Sequence, residues 1–289
     1  AADANGTQLE GTDTDESLIA GVTGAVPAGS YTLTESEHDG YAASAWVCTG
    51  RDLEFTLDDG ALELGLGETI TCTITNDDIA PELTLVKHVT NDNGGTATTD
   101  DFPLRAVGAG MSIGGLSGSE DVTSVPVKVG SYELFERELS TYAPSAWSCT
   151  TDAFDGSVVT LAAGDRVTCE ITNDDIAPTL TLVKEVLNDH GGGASETDFT
   201  LTADGPTPLS GVTGSDEVTG RTVTAGVYEL SESGPAEYTG EGWTCTAGEL
   251  EGSTLTLGLG ENATCTILND DNPALITLVK EVINDDGGN

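Results

Sequence analysis

The sequence has very few basic residues. Lysine and arginine together number 9, against 50 aspartate and glutamate residues, which gives a formal net charge of −41. A chain this acidic repels the phosphate backbone, so a nucleic-acid partner is excluded, and docking on an anionic membrane surface is disfavoured. Since no apolar run is long enough to span a bilayer, we also expect no direct membrane insertion.

The sequence also lacks helical patterning: no stretch repeats its hydrophobic residues with a helical period over more than three turns. Hydrophobic residues nevertheless make up 37% of the chain. They alternate with Thr and Ser in short runs bounded by Gly, Asp and Asn, which is typical of half-buried strands and not of a disordered acidic chain. The sequence therefore predicts an all-β protein.

Several phrases recur along the chain at a spacing near 96 residues. Asn76, Asn173 and Asn269 are the sixth residues of the strings TCTITNDD, TCEITNDD and TCTILNDD, and they are 97 and 96 residues apart. A period of this length with several strand-like runs per unit predicts tandem transthyretin- or Ig-like β-sandwich modules, arranged as a rod or fibre.

The phase of the repeat is unusual. The string Leu-Val-Lys (LVK) occurs in a strand-like run at residues 85–87, 182–184 and 278–280. Residues 1–79 form a module without this LVK strand, residues 80–177 and 178–272 form complete modules, and residues 273–289 carry the LVK strand alone. Either the chain is three periods of a longer array, or the C-terminal strand of one subunit completes the first sandwich of the next, as in donor-strand polymerisation. Both readings stay open, and both give a fibre.

Six cysteines form one local pair in each module. No pair has CxxC spacing and the three histidines do not repeat with them, which argues against metal binding. One disulfide per module and an oxidising compartment are expected instead. The pairs are Cys48/Cys72, Cys149/Cys169 and Cys245/Cys265.

Three polar residue types share strand faces with apolar residues. Residues two apart in a strand point to the same side, so Lys87 lies with Leu85, and Asn173 lies with Ile171. The same test places Glu136 with the apolar residues of its strand. The full set comprises the lysines Lys87, Lys184 and Lys280, the glutamates Glu35, Glu136 and Glu232, and the asparagines Asn76, Asn173 and Asn269.

Burying one charge or amide alone costs several kcal/mol, so these residues are expected to meet inside each module. One alternative is a Lys–Glu ion pair with Asn as a hydrogen-bonding neighbour. The other is an isopeptide bond. Burial lowers the pKa of lysine and raises that of glutamate, so both can be neutral. The neutral amine then attacks the Asn carboxamide, the glutamate moves the proton, and ammonia leaves.

The ordered phrases resemble collagen-adhesin B-type (Cna-B, prealbumin-like, SpaA-like) domains of Gram-positive surface proteins, and look most like prealbumin-like repeats of large actinobacterial surface proteins. LVK on the first strand, Y-x-L-x-E in the middle and a last strand ending in Asn carry this resemblance over essentially the whole chain. It implies an extracellular structural module with a Lys–Asn bond assisted by Glu, although that family usually lacks cysteines. The implied sets are Lys87–Glu136–Asn173, Lys184–Glu232–Asn269, and Lys280 with Glu35 and Asn76 of an adjacent copy or repeat.

Acidic clusters flank each predicted junction. The string NDDIAP resembles the calcium linker of cadherins, and carboxylates at a domain joint suit Ca²⁺. The alternative is that Asn, Asp and Gly simply form turns there, and neither reading requires a cofactor. The candidate ligands are Asp77, Asp78, Asp174, Asp175, Asp270 and Asp271, helped by Asp92, Asp189 and Asp285.

These observations predict a secreted structural protein, a subunit or segment of a pilus-like surface filament or stalk that associates with itself head to tail. The alternative is a cell-surface adhesin that binds a host or glycan ligand through loops that differ between modules, such as residues 105–120 and 203–217. No catalytic set other than the self-modifying one repeats, so an enzyme is not expected.

Overall fold

The structure, a computed structural model, describes residues 21–288 and the backbone of residues 2–3. The rest of the N-terminal part of the predicted first module lies outside the described residues. The chain forms two compact units. One unit contains the residues up to 86 with 103–136 and 147–170, and the other contains 87–102, 137–146 and the residues from 171 onward.

The first repeat is built from short antiparallel strands. They are β1 (Ala2–Asp3), β2 (Gly29–Thr32), β3 (Tyr41–Ala43), β4 (Val47–Gly50), β5 (Leu53–Thr56), β6 (Ala61–Leu64), β7 (Thr71–Thr73) and β8 (Asn76–Asp78). They form three small sheets with the orders β1–β2–β6, β3–β8 and β5–β4–β7. Tyr41 of β3 is the register partner of Asp78 on β8.

The middle repeat contains ten strands and one 3₁₀ turn, Thr99–Asp101. The strands are β9 (Glu82–Thr90), β10 (Leu104–Gly108), β11 (Met111–Gly115), β12 (Val125–Pro126), β13 (Gly130–Glu136), β14 (Tyr142–Pro144), β15 (Ser148–Cys149), β16 (Phe154–Asp155), β17 (Val158–Leu161) and β18 (Arg166–Asp175). One sheet has the order β11–β10–β13–β17–β16. The other has the order β12–β9–β18–β14, and β15 also pairs with β18.

The third repeat has the same two strand orders. Its strands are β19 (Thr179–Leu187), β20 (Thr200–Asp204), β21 (Leu209–Gly211), β22 (Arg221–Thr222), β23 (Gly226–Ser233), β24 (Tyr238–Cys245), β25 (Glu249–Glu251), β26 (Thr254–Leu257) and β27 (Asn262–Asp271). They form the sheets β22–β19–β27–β24 and β21–β20–β23–β26–β25. A 3₁₀ turn, Glu196–Asp198, precedes β20. In the part of the chain that the structure describes, no helix has the length and apolarity needed to span a bilayer.

The alternating apolar residues of both sheets form the core of the third repeat. Each strand turns one side inward because successive side chains point to opposite faces. The first strand, β19, lies beside the last strand, β27, and runs parallel to it. The core residues are Leu180, Leu182, Leu201, Ala203, Leu209, Val218, Val223, Tyr228, Leu230, Leu255, Leu257, Ala263, Cys265 and Ile267.

The linkers between repeats are hydrogen-bonded on both sides. The Ile79 N–H donates to Gly40 of the first repeat, and the Ile79 carbonyl accepts the N–H of Gly164 at 2.7 Å. Ile176 repeats this pattern, because its N–H donates to Thr141 and its carbonyl accepts the N–H of Gly260 at 2.8 Å. These bonds, with the fixed φ of the prolines that follow, restrain each linker.

The segment Asn272–Gly288, here called the tail, forms no strand and is exposed to solvent. Its sequence matches β9 and β19, yet the burial is opposite. Leu180 and Leu182 are fully buried, whereas the corresponding Ile276 and Leu278 are 83% and 85% exposed.

Candidate functional site

The third repeat brings a lysine, a glutamate and an asparagine from three strands to one side of its core. Lys184 and Asn269 lie on the parallel neighbours β19 and β27, with Lys184 opposite Ile267 and Asn269 opposite Val186. Their side chains therefore share a face, two residues apart in register. Glu232 enters from the other sheet, near the end of β23.

The amine of this cluster is buried and paired. The Lys184 Nζ lies 3.0 Å from Glu232 Oε2, and the lysine side chain has no exposed surface. Nζ also donates to the carbonyl of Ile267 at 3.3 Å. Because burial outweighs the opposing influence of Glu232, the pKa of the Lys184 amine lies below its usual value. A lowered pKa makes the neutral, nucleophilic amine more accessible.

The amide of the cluster has an unused acceptor. Asn269 is 3% exposed, and its Oδ1 has no hydrogen-bond partner. Asn269 Oδ1 and Glu232 Oε1 both face Gly240, since each lies 3.0 Å from the position that a Cβ on that glycine would occupy. The amide carbonyl and the carboxyl group therefore share one small space.

An aromatic ring that the sequence reasoning missed covers the lysine. The Lys184 Nζ lies 4.6 Å from the centre of the buried Phe199 ring, and Tyr238 packs edge-on against that ring. A phenylalanine stands 15 residues after the lysine in the first two LVK phrases, at Phe102 and Phe199. That repeated spacing was the available signal.

The middle repeat has the same surroundings for its lysine and asparagine. Lys87 is 2% exposed with its Nζ 4.8 Å from the centre of the Phe102 ring, and Asn173 is 1% exposed. The Asn173 Oδ1 again has no hydrogen-bond partner. Glu136 ends β13 and is partly buried.

In the first repeat the glutamate and the asparagine are in contact, but both are exposed to solvent. Asn76 Nδ2 donates to Glu35 Oε1, and both residues are exposed. Lys280, the third lysine of the pattern, lies in the exposed tail. Among the described residues no strand carrying a lysine lies beside Asn76.

The three predicted cysteine pairs are disulfides. They are Cys48–Cys72, Cys149–Cys169 and Cys245–Cys265, and no described cysteine is free. In each pair the two cysteines are direct register partners on adjacent antiparallel strands. Each disulfide therefore ties two neighbouring strands of one repeat.

Two of the predicted calcium ligands bind a backbone loop. The buried Asp271 carboxylate accepts the N–H groups of Asp189, His190 and Gly192 at 2.9, 2.9 and 2.5 Å. Tyr238, its register partner, donates its hydroxyl to Asn188 Oδ1 and accepts the N–H of Ala194.

The middle repeat uses the same arrangement. The Asp175 carboxylate accepts the N–H groups of Asp92, Asn93 and Gly95, the last at 2.6 Å. Tyr142 donates to Asn91 Oδ1 at 2.6 Å and accepts the N–H of Ala97 at 2.9 Å. We call Tyr142 with Asp175, and Tyr238 with Asp271, the latch pairs. In the middle and third repeats the NDxGG strings therefore form hydrogen-bonded loops, as the turn alternative predicts.

The same carboxylates belong to two groups of ligand atoms that lie close enough together to hold a metal ion. Ligand atoms of Asp92, Asp174 and Asp175 lie within 4.8 Å of one another, as do those of Asp189, His190, Asp270 and Asp271. Asp77 and Asp78 of the first repeat are exposed, and so is Asp285 in the tail. Calcium at these clusters stays a prediction, and part of the oxygen capacity is already taken by N–H donors.

The fold and the site define a class: tandem β-sandwich modules with a disulfide in each repeat and a buried lysine in the middle and third repeats. The model of the prealbumin-like fold domain matches residues 1–74, 78–171 and 175–267, so the chain belongs to this family. No curated protein matches the chain significantly.

Solved structures of similar proteins are remote. The Bacillus anthracis TIE protein is 16% identical with a TM-score of 0.42, and the match covers 86% of this chain and 53%, about half, of that protein. A C-terminal fragment of the pilus adhesin SpaC from Lactobacillus rhamnosus GG is 12% identical with a TM-score of 0.35, covering 68% of this chain and 100% of the fragment. Two B repeat units of the Staphylococcus aureus collagen-binding protein are 13% identical with a TM-score of 0.29, covering 82% and 69%.

Proposed function

We propose that this chain is a structural part of an extracellular surface filament or stalk, whose modules are locked by disulfides and by Lys–Asn isopeptide bonds. The observation that carries the proposal is the buried cluster of Lys184, Glu232 and Asn269. Three disulfides support an oxidising, extracellular location. The excess of acidic residues argues against nucleic acid as a partner.

The chemistry within the cluster balances without any cofactor. The neutral Lys184 Nζ attacks Cγ of Asn269, a C–N bond forms, and the Cγ–Nδ2 bond breaks. Glu232 takes the proton from the amine and delivers it to the departing nitrogen, which leaves as ammonia. The product is an uncharged amide that joins the first strand of the repeat to the last. Lys87 and Asn173 stand in the corresponding positions of the middle repeat.

A buried ion pair is the competing account, and the intact mass of the protein separates the two. After reduction of the disulfides, we expect the chain to be lighter than its sequence mass by one ammonia for each closed repeat. Glu232→Gln should restore one ammonia, because the carboxylate no longer accepts the amine proton. Glu251→Gln, at an exposed position on β25 of the same repeat, is the matched control. A mass equal to the plain sequence contradicts the bond and leaves the ion pair.

The third set supports association between copies. The tail has the sequence of a first strand and is exposed, and the first repeat has Glu35 and Asn76 exposed. By the register of β19 with β27, Lys280 of one copy would lie opposite Ile74 of another and reach Asn76. Sedimentation should then show concentration-dependent assembly. Ladders that survive boiling and reductant would indicate that Lys280 has reacted.

Calcium is proposed only as an accessory ligand of the acidic clusters. A thermal melt in CaCl₂, compared with MgCl₂ at the same ionic strength, tests it. A rise in Tm specific to calcium supports binding at the clusters, and equal melts in both salts count against it.

A further inference from the structure

Each of the two complete repeats holds the loop that follows its lysine strand in the same way. A latch pair, one tyrosine and one aspartate in register on adjacent strands, receives that loop. The aspartate accepts three backbone N–H groups, and the tyrosine hydroxyl bridges an asparagine side chain and a further N–H. The loop sequences are N-D-N-G-G at residues 91–95 and N-D-H-G-G at residues 188–192.

The first repeat has the same pair in the same register, Tyr41 opposite Asp78. Asp78 is exposed, and among the described residues no group donates a hydrogen bond to its carboxylate. Tyr41 is half-buried, with its ring 5.2 Å from that of His38. This repeat therefore presents a latch pair to solvent.

The tail carries the matching loop. Residues 284–288 read N-D-D-G-G, and Gly287 already has φ +80°, close to the +95° of Gly94 and the +99° of Gly191. Left-handed backbone at this position is readily adopted only by glycine. The tail loop thus has the sequence of the loops that the other two latch pairs hold, and the same left-handed backbone at the corresponding glycine.

We propose that Tyr41 and Asp78 of one copy bind the loop 284–288 of a second copy of this chain, and so fix the depth at which the tail enters the first repeat. This inference rests on the tail complementation described under the proposed function. A strand with alternating apolar residues could slip by two positions and still bury the same face. A loop that fits the latch pair only at its own position removes that freedom.

One glycine makes the interaction testable. A Cβ on Gly95 would lie 2.3 Å from the Tyr142 hydroxyl, and one on Gly192 would lie 2.2 Å from the Tyr238 hydroxyl. Gly288 is the corresponding residue of the tail. In the free tail its nearest neighbour would be Asn284 Oδ1 at 3.3 Å, the end of a flexible side chain. Gly288→Ala should therefore leave the free chain almost unchanged and obstruct the bound state.

The test compares self-association of full-length variants by sedimentation velocity at about 0.5 M NaCl, where repulsion between acidic chains is strongly screened. We expect Gly288→Ala to weaken association by about tenfold or more, because the N–H groups of the loop can no longer reach the carboxylate. Asp78→Asn and Tyr41→Phe should weaken it in the same direction. Gly193→Ala, where an added Cβ meets nothing within 4 Å, is the matched control.

A synthetic peptide of residues 273–289 provides a second measurement that does not depend on folding of the variants. In excess, the natural peptide should block assembly of the full chain, and a Gly288→Ala peptide should block it about tenfold less well. Assembly of the wild type with equal association of Gly288→Ala and Gly193→Ala overturns the latch inference alone. A wild type that stays monomeric at all concentrations overturns the latch and the tail complementation together.

Discussion

At the scale of single residues, the scarcity of basic side chains makes the placement of the lysines informative. Lys87 and Lys184 are almost completely buried, each beside a phenylalanine ring, and Lys184 also faces a glutamate. Burial of an ammonium group is costly unless the charge is paired or removed. An isopeptide bond would remove the charge permanently, which is a physical reason for a lysine at a core position.

Asp271 should be a strongly stabilising residue of the third repeat. Asp271→Asn keeps the size of the side chain but replaces one acceptor oxygen by an amide, so at least one loop N–H loses its partner. We expect the free energy of unfolding to fall by about 2–3 kcal/mol in urea titrations. Asp204→Asn, at the exposed end of β20, should change it by less than about 0.5 kcal/mol. Equal effects of the two substitutions would contradict the role of the latch pair.

The same carboxylate should make stability depend on pH. Burial raises the pKa of the Asp271 carboxyl, but the N–H groups of Gly192, His190 and Asp189 lower it by more, so the folded pKa lies below its usual value. Its contribution is therefore present above the unfolded pKa of about 3.9 and is lost as the pH falls through the folded pKa.

The comparison of unfolding free energies over pH tests this sign. The difference between the wild type and Asp271→Asn should be constant near neutral pH and should shrink below about pH 4. A difference that is unchanged down to pH 2 would show that the charge of Asp271 is not what holds the loop.

At the scale of elements, each repeat has one disulfide, and the proposed amide would add a second tie in the middle and third repeats. The disulfide joins adjacent antiparallel strands, β24 and β27 in the third repeat, whereas the proposed amide would join the parallel neighbours β19 and β27. The two links would constrain different strands, so the disulfide does not make the proposed amide redundant.

Removal of one disulfide should weaken the third repeat without unfolding it. The double variant Cys245→Ser with Cys265→Ser opens a loop of about 20 residues, for which the chain-entropy model gives about 3 kcal/mol. We expect a native far-UV circular dichroism spectrum and a lower Tm. Loss of the folded spectrum at 25 °C would mean that no second link, amide or otherwise, supports the repeat.

Gly192 should tolerate no side chain, unlike its neighbour in sequence. In Gly192→Ala the new Cβ would lie 2.2 Å from the Tyr238 hydroxyl and 2.8 Å from Asp271 Oδ2. Relief of this overlap should cost about 1–3 kcal/mol in the free energy of unfolding, typical of an overpacked site. Gly193→Ala should cost little, since its Cβ would enter open space. A neutral Gly192→Ala would mean that the loop is free to move away from the latch pair.

At the scale of the whole molecule, a negative field and an exposed apolar segment act in opposite directions. A net charge of −41 keeps copies apart. The tail nevertheless exposes Ile276, Leu278, Val279 and Ile283. Association of copies is therefore expected to be weak at low salt and to strengthen as salt screens the charges.

Two substitutions to lysine in the tail test which face of the tail packs into the first repeat of a second copy. Leu278 corresponds to the buried Leu85 and Leu182, whereas Glu281 corresponds to the exposed His88 and Glu185. Leu278→Lys should abolish concentration-dependent assembly, because it places a charge in the partner's core. Glu281→Lys should preserve it. The Tm of the monomer should be unchanged in both, and equal assembly of both would contradict entry of the apolar face.

Much of the architecture followed from the sequence because it depends on local periodicity. Alternation of apolar and polar residues indicated the strands, and the spacing of Asn76, Asn173 and Asn269 indicated the three prealbumin-like repeats. The inward direction of Lys184 and Asn269 followed from the two-residue period of a strand. The cysteine pairs followed from their regular separation within each repeat.

Other features needed the tertiary structure because they depend on contacts between strands far apart in sequence. The ring of Phe199 over Lys184 joins residues whose connecting loop has no periodic pattern. The binding of loop N–H groups by Asp175 and Asp271 was likewise not visible in the sequence, where these residues were candidates only for calcium ligation. Composition cannot tell whether a carboxylate faces an ion or a peptide N–H. The sequence alone thus determined the strands, the repeats and the inward-facing residues, since these arise from short-range order. Only the packing of one strand against another decided which of those residues meet.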